Sequence, residues 1–269
     1  MPRQDLEYPR EPHSTVKRYN HQAKYDLETI HGIVNAAPIL HISFNVPDSP
    51  FPATLPMLGH MGSFDRPSAD IGDVLEVYLH GYVSSRLINS ARNSEKGLPV
   101  TVSASHIDGL CLTLTPNSHN LNYRSAVLFG YATVVDKLEE KLYAMEVITN
   151  GIIPDRWRNT RTPPNAAEMQ STSILRVKVT TGSGKVRTGS ADLDKNYDLD
   201  DEDLVKRVWT GVIPMYTTLG EPVPRGDNRV TELPGYLRDF VKETNEDAKA
   251  YAYDAINVEV PKKKQDDDA

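Results

Sequence analysis

From Tyr25 onward the chain reads as one helix followed by a run of short apolar stretches. Asp26 stands where an N-cap belongs, and Ile30, Ile33, Val34 and Ala37 follow at i, i+3, i+4 and i+7. That spacing predicts an amphipathic helix, ended by Pro38. Strand patterns follow at Ile39–Val46, at Ala53–His60 and at Val74–His80, the last running into Gly81. Pro56 inside the second of these predicts an edge or a bulge. Pro99–His106 and Leu110–Thr115 are expected to form a hairpin through Ile107-Asp108-Gly109, because Asp-Gly suits a type I′ turn. Tyr123–Val135 is a long β-rich run in which Gly130 permits a bend, and Ile174–Thr180 returns as a strand. Val208–Pro214 is the last apolar stretch. Helices are expected at Ser84–Ser94, over Leu138 to Ile152 before Pro154, and at Pro234–Tyr253.

Around seven short strands with few helices among them point to a closed or partly closed antiparallel barrel. Strand and helix do not alternate in the βαβ manner, so a doubly wound sheet is not expected. Residues 1–20, with Pro2, Pro9 and Pro12 among charges, read as an extended or poorly ordered arm. Residues 21–216 make up the expected domain. Residues 217–260 form an extension whose surface helix packs on the barrel or on a dimer, and residues 261–269 are a charged tail. The acidic run Asp192–Asp203 repels itself and reads as a solvated loop.

Composition narrows the function classes. Thirty basic against thirty-seven acidic side chains give a formal charge of −7, which argues against a nucleic-acid binder. No apolar run approaches the roughly 18–20 residues of a membrane span. The amino terminus lacks the apolar core of a secretory signal, so a soluble cytoplasmic protein is expected. Cys111 is the only cysteine, which excludes an intrachain disulfide and a zinc cluster; on its alternating strand it reads as a small core hydrophobe. Thr181–Arg187 superficially looks like a phosphate loop, but Val179 and Val186 stand where the pattern needs a glycine and a hydroxyl. There is no Gly-x-Ser-x-Gly and no His-Glu-x-x-His. His13, His21, His31 and His41 fit no helical face and read as unrelated surface or partly buried residues.

Val74–Arg92 carries the one positive signal. A strand runs into His80-Gly81, and Ser84-Ser85-Arg86 then opens a short helix. Free amides, two hydroxyls and a guanidinium make an anion site. On the residues alone, the favoured reading is that Ser84 caps the helix and Arg86 lies in solvent, since Ser is among the preferred N-caps. The segment resembles the phosphate-binding stretch of the flavin-mononucleotide split barrels, the pyridoxamine-phosphate oxidase superfamily, where an aromatic-Thr pair leads to Ser-Arg-Lys. Here His80-Gly81 replaces the pair, Ser85-Arg86 matches, and Leu87 replaces the Lys, which removes one phosphate contact. A closer resemblance is to the nitroimidazole-resistance branch. It rests on Tyr25–Ile30, Tyr78–Gly81 with Ser85-Arg86, Asp108–Leu110, Asn122–Val127 with Phe129-Gly130, Lys185–Gly189 and Val208–Pro214, in that order.

This resemblance implies a mainly β fold with flanking α: a six-stranded antiparallel split β-barrel of Greek-key type. It also implies a homodimer with two FMN in grooves between the subunits. The flavin ring would lie along Leu55, Pro56, Met57 and Leu58, flanked by Asn122, Tyr123, Arg124 and Ser125. Ser84, Ser85 and Arg86 would take the phosphate beside His80 and Gly81. Lys185, Arg187 and Trp209 would close the site; read bottom-up, Trp209 could instead be a core aromatic, and the two cations an exposed basic face. His80 is the candidate proton donor or substrate contact, since imidazole titrates near neutrality. The implied activity passes electrons from a reduced nicotinamide to a small oxidised acceptor such as a nitroaromatic. One alternative is a carrier that binds flavin or haem without turnover, with His80 as an axial ligand. The other is pyridoxamine-phosphate oxidation, which the substitution at Leu87 disfavours. No metal site, membrane or nucleic-acid partner is implied.

Overall fold

The computed structural model describes residues 6–47, 49–191 and 194–258. The chain divides into two compact units, one of residues up to His106 with Ser125–Lys185, the other of Ile107–Arg124 with everything from Val186.

In the first unit, Ala23–Lys24 (β1) leads to Leu27–Ala36 (α1), whose N-cap Asp26 accepts the Thr29 N–H at 2.8 Å. Leu27, Ile30, Ile33 and Val34 are buried, as the 3.6-residue period requires. The strands are Leu40–Phe44 (β2), Ala53–Met57 (β3), Gly59–Gly62 (β4), Glu76–Tyr82 (β5), Leu98–Leu112 (β6) and Asn120–Val134 (β7). Arg86–Arg92 (α2) follows β5, and Leu138–Ile152 (α3) and Ala166–Ser171 (α4) follow β7 and precede Thr172–Arg187 (β8). They form a sheet in the order β3-β2-β6-β7-β8-β5-β4, with β2 antiparallel to β3 and β6, and β5 antiparallel to β4 and β8. Its two edges, β3 and β4, are successive lengths of one segment that pair with different neighbours, so the ladder does not close. This is the expected mainly β, split-barrel architecture with flanking helices.

Period-two alternation gives each strand two faces. Val77, Leu79, Leu175 and Val177 are buried on one face of β5 and β8. On the other, Tyr78 and Ile174 pack with Ala144 and Ile148 of α3. A polar cluster pins that helix: Glu140 accepts hydrogen bonds from the Tyr78 hydroxyl at 3.2 Å and the Arg176 guanidinium at 3.1 Å. Glu76 completes the cluster, and its burial raises its pKa above the usual carboxylate value.

Several local expectations give way to tertiary contacts. The amino-terminal arm is packed from residue 6 onward, with Tyr8 and Ser14 buried. The Tyr8 hydroxyl lies 2.7 Å from His31 Nε2, and Ser14 Oγ lies 2.7 Å from Thr181 Oγ1. His31 is therefore a core residue and not a surface one. The glycine-rich stretch Thr181–Arg187 belongs to β8, which is more than twice as long as its apolar core suggested. Ala53–His60 is split at Leu58 into β3 and β4.

In the second unit, Gly211–Pro214 (β9) pairs antiparallel with Gly109–Leu112. The expected hairpin is absent, and β6 runs straight through Ile107-Asp108-Gly109. Asp108 takes a two-pronged ion pair from Arg124, at 3.0 and 2.8 Å, which rewards an extended backbone. Gly109 serves close approach: a Cβ there would sit 2.8 Å from Val212. The acidic run folds in part, into Asn196–Leu199 (α5) and Glu202–Arg207 (α6), the latter capped by the Asp201 carboxylate. Asp192 and Leu193 lie outside the described residues, as do residues 1–5 and the 261–269 tail. Gly235–Asn257 (α7) is the expected carboxy-terminal helix, packed on β9.

Candidate functional site

The signal segment folds as a strand, a turn and a helix, and the backbone of the turn is tied down at several points. Ser85 N–H reaches the Tyr82 carbonyl at 2.9 Å, and Val83 N–H reaches the Ser171 carbonyl at 3.2 Å. Arg92, at the far end of α2, turns back to the Val83 carbonyl at 2.9 Å and to Ser173 Oγ at 3.3 Å. Asn89 holds the Ser84 carbonyl at 3.3 Å. Ser85 is the N-cap, its Oγ accepting the Ile88 N–H at 3.4 Å. The cap reading thus holds, though on Ser85 and not Ser84.

What this braced turn leaves free is informative. Arg86 is exposed and makes no hydrogen bond or ion pair among the described residues, and the exposed Ser84 hydroxyl is also unpartnered. His80 is exposed too; its backbone N–H bonds the Leu58 carbonyl at 2.9 Å, while its ring has no partner. Partial burial lowers its pKa from the ordinary 6.5, so the ring is neutral at pH 7. Gly81 lets two elements close in, since a Cβ would lie 3.2 Å from Ile88 and 3.5 Å from Met57. The strand Leu55–Leu58 is thereby held beside the turn, with Met57 buried, Leu55 half-buried, and Pro56 and Leu58 exposed. Leu87 is fully buried and offers nothing to an anion.

Two further candidates of the first unit lie elsewhere in it. Ser125 Oγ is 3.4 Å from the Lys185 carbonyl. Lys185 Nζ is spent on the Arg18 carbonyl at 3.2 Å, with the Tyr19 ring below it at 5.4 Å.

The remaining candidates belong to the second unit. Asn122 and Arg187 are buried together: Asn122 Oδ1 accepts from the Arg187 guanidinium, and Asn122 Nδ2 donates to the Gly189 carbonyl at 2.9 Å. Arg187, only 6% exposed, also touches Cys111 Sγ at 3.0 Å, so it is a core residue and not part of an exposed basic face. Arg124 is committed to Asp108, and its guanidinium stacks 3.7 Å over the Tyr251 ring of α7. Tyr123 is half-buried. Trp209 is 65% exposed, its ring close over Gly211, which excludes the core-aromatic alternative.

Two residues of the turn went unnoticed in the sequence. Tyr82 shares the face of His80 by the period of two and is 64% exposed. Arg92 braces the turn through a strand that returns some eighty residues later, which no local pattern reveals. Among the described residues, no group of His, Cys, Asp and Glu is placed to hold a metal, and no helix is long and apolar enough to cross a membrane.

The chain that folds as this mainly β split barrel is matched by one family model. Residues 26–186 match pyridoxamine 5'-phosphate oxidase, and the chain belongs to that family. The structure is similar to the flavocytochrome Anf3 of Azotobacter vinelandii, with 28% identity, 86% of this chain and 97% of that one covered, and a TM-score of 0.67. It is also similar to an FAD and haem binding protein of Mycobacterium smegmatis, with 24% identity, 82% and 97% covered, and a TM-score of 0.65. A 5-nitroimidazole antibiotic resistance protein of Bacteroides thetaiotaomicron aligns at 20% identity over 61% and 86%, with a TM-score of 0.46. A comparison with curated proteins finds no match.

Proposed function

We propose that this protein binds a flavin nucleotide, FMN by the resemblance of its sequence motifs, and works as an oxidoreductase. Electrons would pass from a reduced nicotinamide to a small oxidised acceptor of the nitroaromatic kind. The observation that carries the reading is Arg86: an unpaired guanidinium, near the unpaired Ser84 hydroxyl, on a turn whose backbone is braced by Arg92, Asn89 and the Ser85 cap. The turn that carries them is ordered before a phosphate arrives, so the ordering left for binding is that of the Arg86 and Ser84 side chains themselves. Leu55, Pro56 and Leu58 supply an apolar, partly exposed strand on which a flat ring fits. With Leu87 in the core, a single cation meets the phosphate.

When bound, the flavin would supply the redox chemistry. The chain's own share is positional. Arg86 and Ser84 would fix the phosphate end, Arg92 would keep their turn rigid, and the strand would orient the ring. His80, neutral at pH 7, would accept or relay a proton at its free ring nitrogen. Arg124 and Arg187, satisfied internally, serve the fold of the second unit in this reading.

A second reading adds haem. An exposed imidazole without a partner, like that of His80, would hold a haem iron if one were bound, and the similarity to a flavocytochrome at 28% identity supports this reading.

The test is the absorbance spectrum of the purified protein, with mass spectrometry of whatever denaturation releases. Released FMN or FAD, and a flavin band that bleaches with a nicotinamide donor, would support the first reading. A colourless protein that takes up neither added flavin would overturn it. For the second, haemin titration should give a Soret band that His80→Ala abolishes.

A further inference from the structure

Strand register gives the apolar strand β3 a neighbour that the flavin reading leaves unused. In the β2–β3 pairing His41 stands directly opposite Pro56, and in the β2–β6 pairing it stands directly opposite Ser103. Residues opposed in this way share a face of the sheet, with Cβ atoms roughly 5 Å apart. Burial settles which face it is. Leu40, Ile42 and Phe44 point into the core, so His41 and Ser43 lie on the other side. There His41, Thr54 and Pro56 are exposed, and Ser43, Thr101 and Ser103 are half-buried.

That outer face is open and carries no fixed charge. Leu40–Phe44, Ala53–Met57 and Val100–Ser103 contain no acid, lysine or arginine, and His41 is their one ionisable residue. The hydroxyls around it are partly spent: Ser43 Oγ lies 2.9 Å from Thr54 Oγ1, and Ser103 Oγ donates to the His41 carbonyl at 3.4 Å. The imidazole itself has no partner among the described residues. Such a surface suits a flat heteroaromatic ring and has no cation for a phosphate, which complements the charged turn at Arg86.

The far end of the same strand meets a second imidazole. Past Met57 the chain reaches Leu58, whose carbonyl accepts the His80 N–H at 2.9 Å. Pro56 and Leu58, both exposed, are thus bordered by His41 of β2 and by His80 of β5.

We propose that His41 is a second contact to the flavin ring, hydrogen-bonding a polar atom of the ring where it lies along Pro56. This rests on the flavin reading and adds to it a residue whose spacing in the sequence marked it only as a surface histidine. An imidazole whose tautomer no neighbour fixes can present a donor or an acceptor, so it can match either kind of polar atom on a ring edge. No charged side chain on this face competes for it.

The experiment follows His41 itself as well as binding. Wild-type protein, flavin-free and loaded with FMN, is treated with diethyl pyrocarbonate, and the modification of each histidine is read by peptide mass spectrometry. FMN should shield His41. In fluorescence titration, His41→Ala should bind FMN about 3- to 10-fold more weakly, the worth of one hydrogen bond, and because the side chain is exposed the variant should keep the wild-type melting temperature. A His41 that reacts equally fast with and without FMN, or a variant of unchanged affinity, would overturn the inference and leave the flavin reading standing. A wild type that takes up no FMN would sink both.

Discussion

His31 is fully buried in α1, and both of its ring nitrogens are used in the neutral form. Nδ1 donates to the Ile71 carbonyl at 2.8 Å, which leaves Nε2 to accept from the Tyr8 hydroxyl at 2.7 Å. Burial lowers its pKa from 6.5 to about 4. The unfolded chain therefore takes up a proton between pH 6.5 and 4 that the folded chain refuses, so stability falls as the pH drops through that window. The full shift corresponds to about 3 kcal/mol, and about 2 kcal/mol of it should be gone by pH 5. Glu76, whose pKa is raised, works in the opposite direction, so the effect must be isolated by difference. Urea unfolding, followed by circular dichroism at a series of pH values, should be compared for the wild type and His31→Gln. The variant should be less stable at pH 7, but its stability should fall less steeply on acidification, and the two curves should converge by about 2 kcal/mol between pH 7 and 5. Parallel curves would refute the assignment of a neutral, buried His31.

Arg86→Ala should weaken flavin binding by about 10- to 100-fold, the worth of a charge-assisted hydrogen bond, read by fluorescence titration; unchanged affinity would remove Arg86 from the site. Glu140→Ala should cost about 1–3 kcal/mol in denaturant unfolding, since Arg176 and the Tyr78 hydroxyl lose their better acceptor and keep only the longer contacts to Glu76; a loss below about 0.5 kcal/mol would mean Glu76 and solvent replace it. Gly130→Ala should destabilise by about 1–3 kcal/mol or more, because its Cβ would meet the Lys178 carbonyl within β8, and a variant as stable as wild type would show that the strands are further apart.

Local periodicity sufficed for the elements whose burial follows a single period. Asp26 with the Ile30–Val34 stripe marked α1, and the spacing from Leu138 to Ile152 marked α3. It failed where a distant partner decides. Asp108-Gly109 is a strong turn signal in isolation, yet Arg124 and Val212 make the extended form better. The charged, proline-bearing arm is ordered because Tyr8 and Ser14 find partners on α1 and β8. At the site, the capped helix and its free arginine were readable from Ser-Ser-Arg, since capping is a local matter. The interior place of Arg187 was not, because a basic residue near a strand's end gives no hint of the Asn122 amide that receives it.

The substitution at Leu87 gives a sharper test of how the turn works. Family resemblance places a lysine there, and simple charge counting predicts that restoring it would tighten flavin binding. The structure argues otherwise. Leu87 has no exposed surface, and the residues that do face outward on this turn are Tyr82, Ser84 and Arg86. A lysine at this position would have to bury an ammonium without a carboxylate, or push the first turn of α2 away from the sheet. Either route costs several kcal/mol, on the order of the penalty for an unpaired buried charge. Because Ser85, Asn89 and Arg92 all depend on that helix, the turn would loosen as well. Leu87→Lys should therefore lower the melting temperature and leave flavin affinity equal to or weaker than that of the wild type, when both are measured below the transition. A variant that melts like the wild type and binds flavin more tightly would show that position 87 can reach the phosphate, and that the helix turns about its axis more freely than its packing allows.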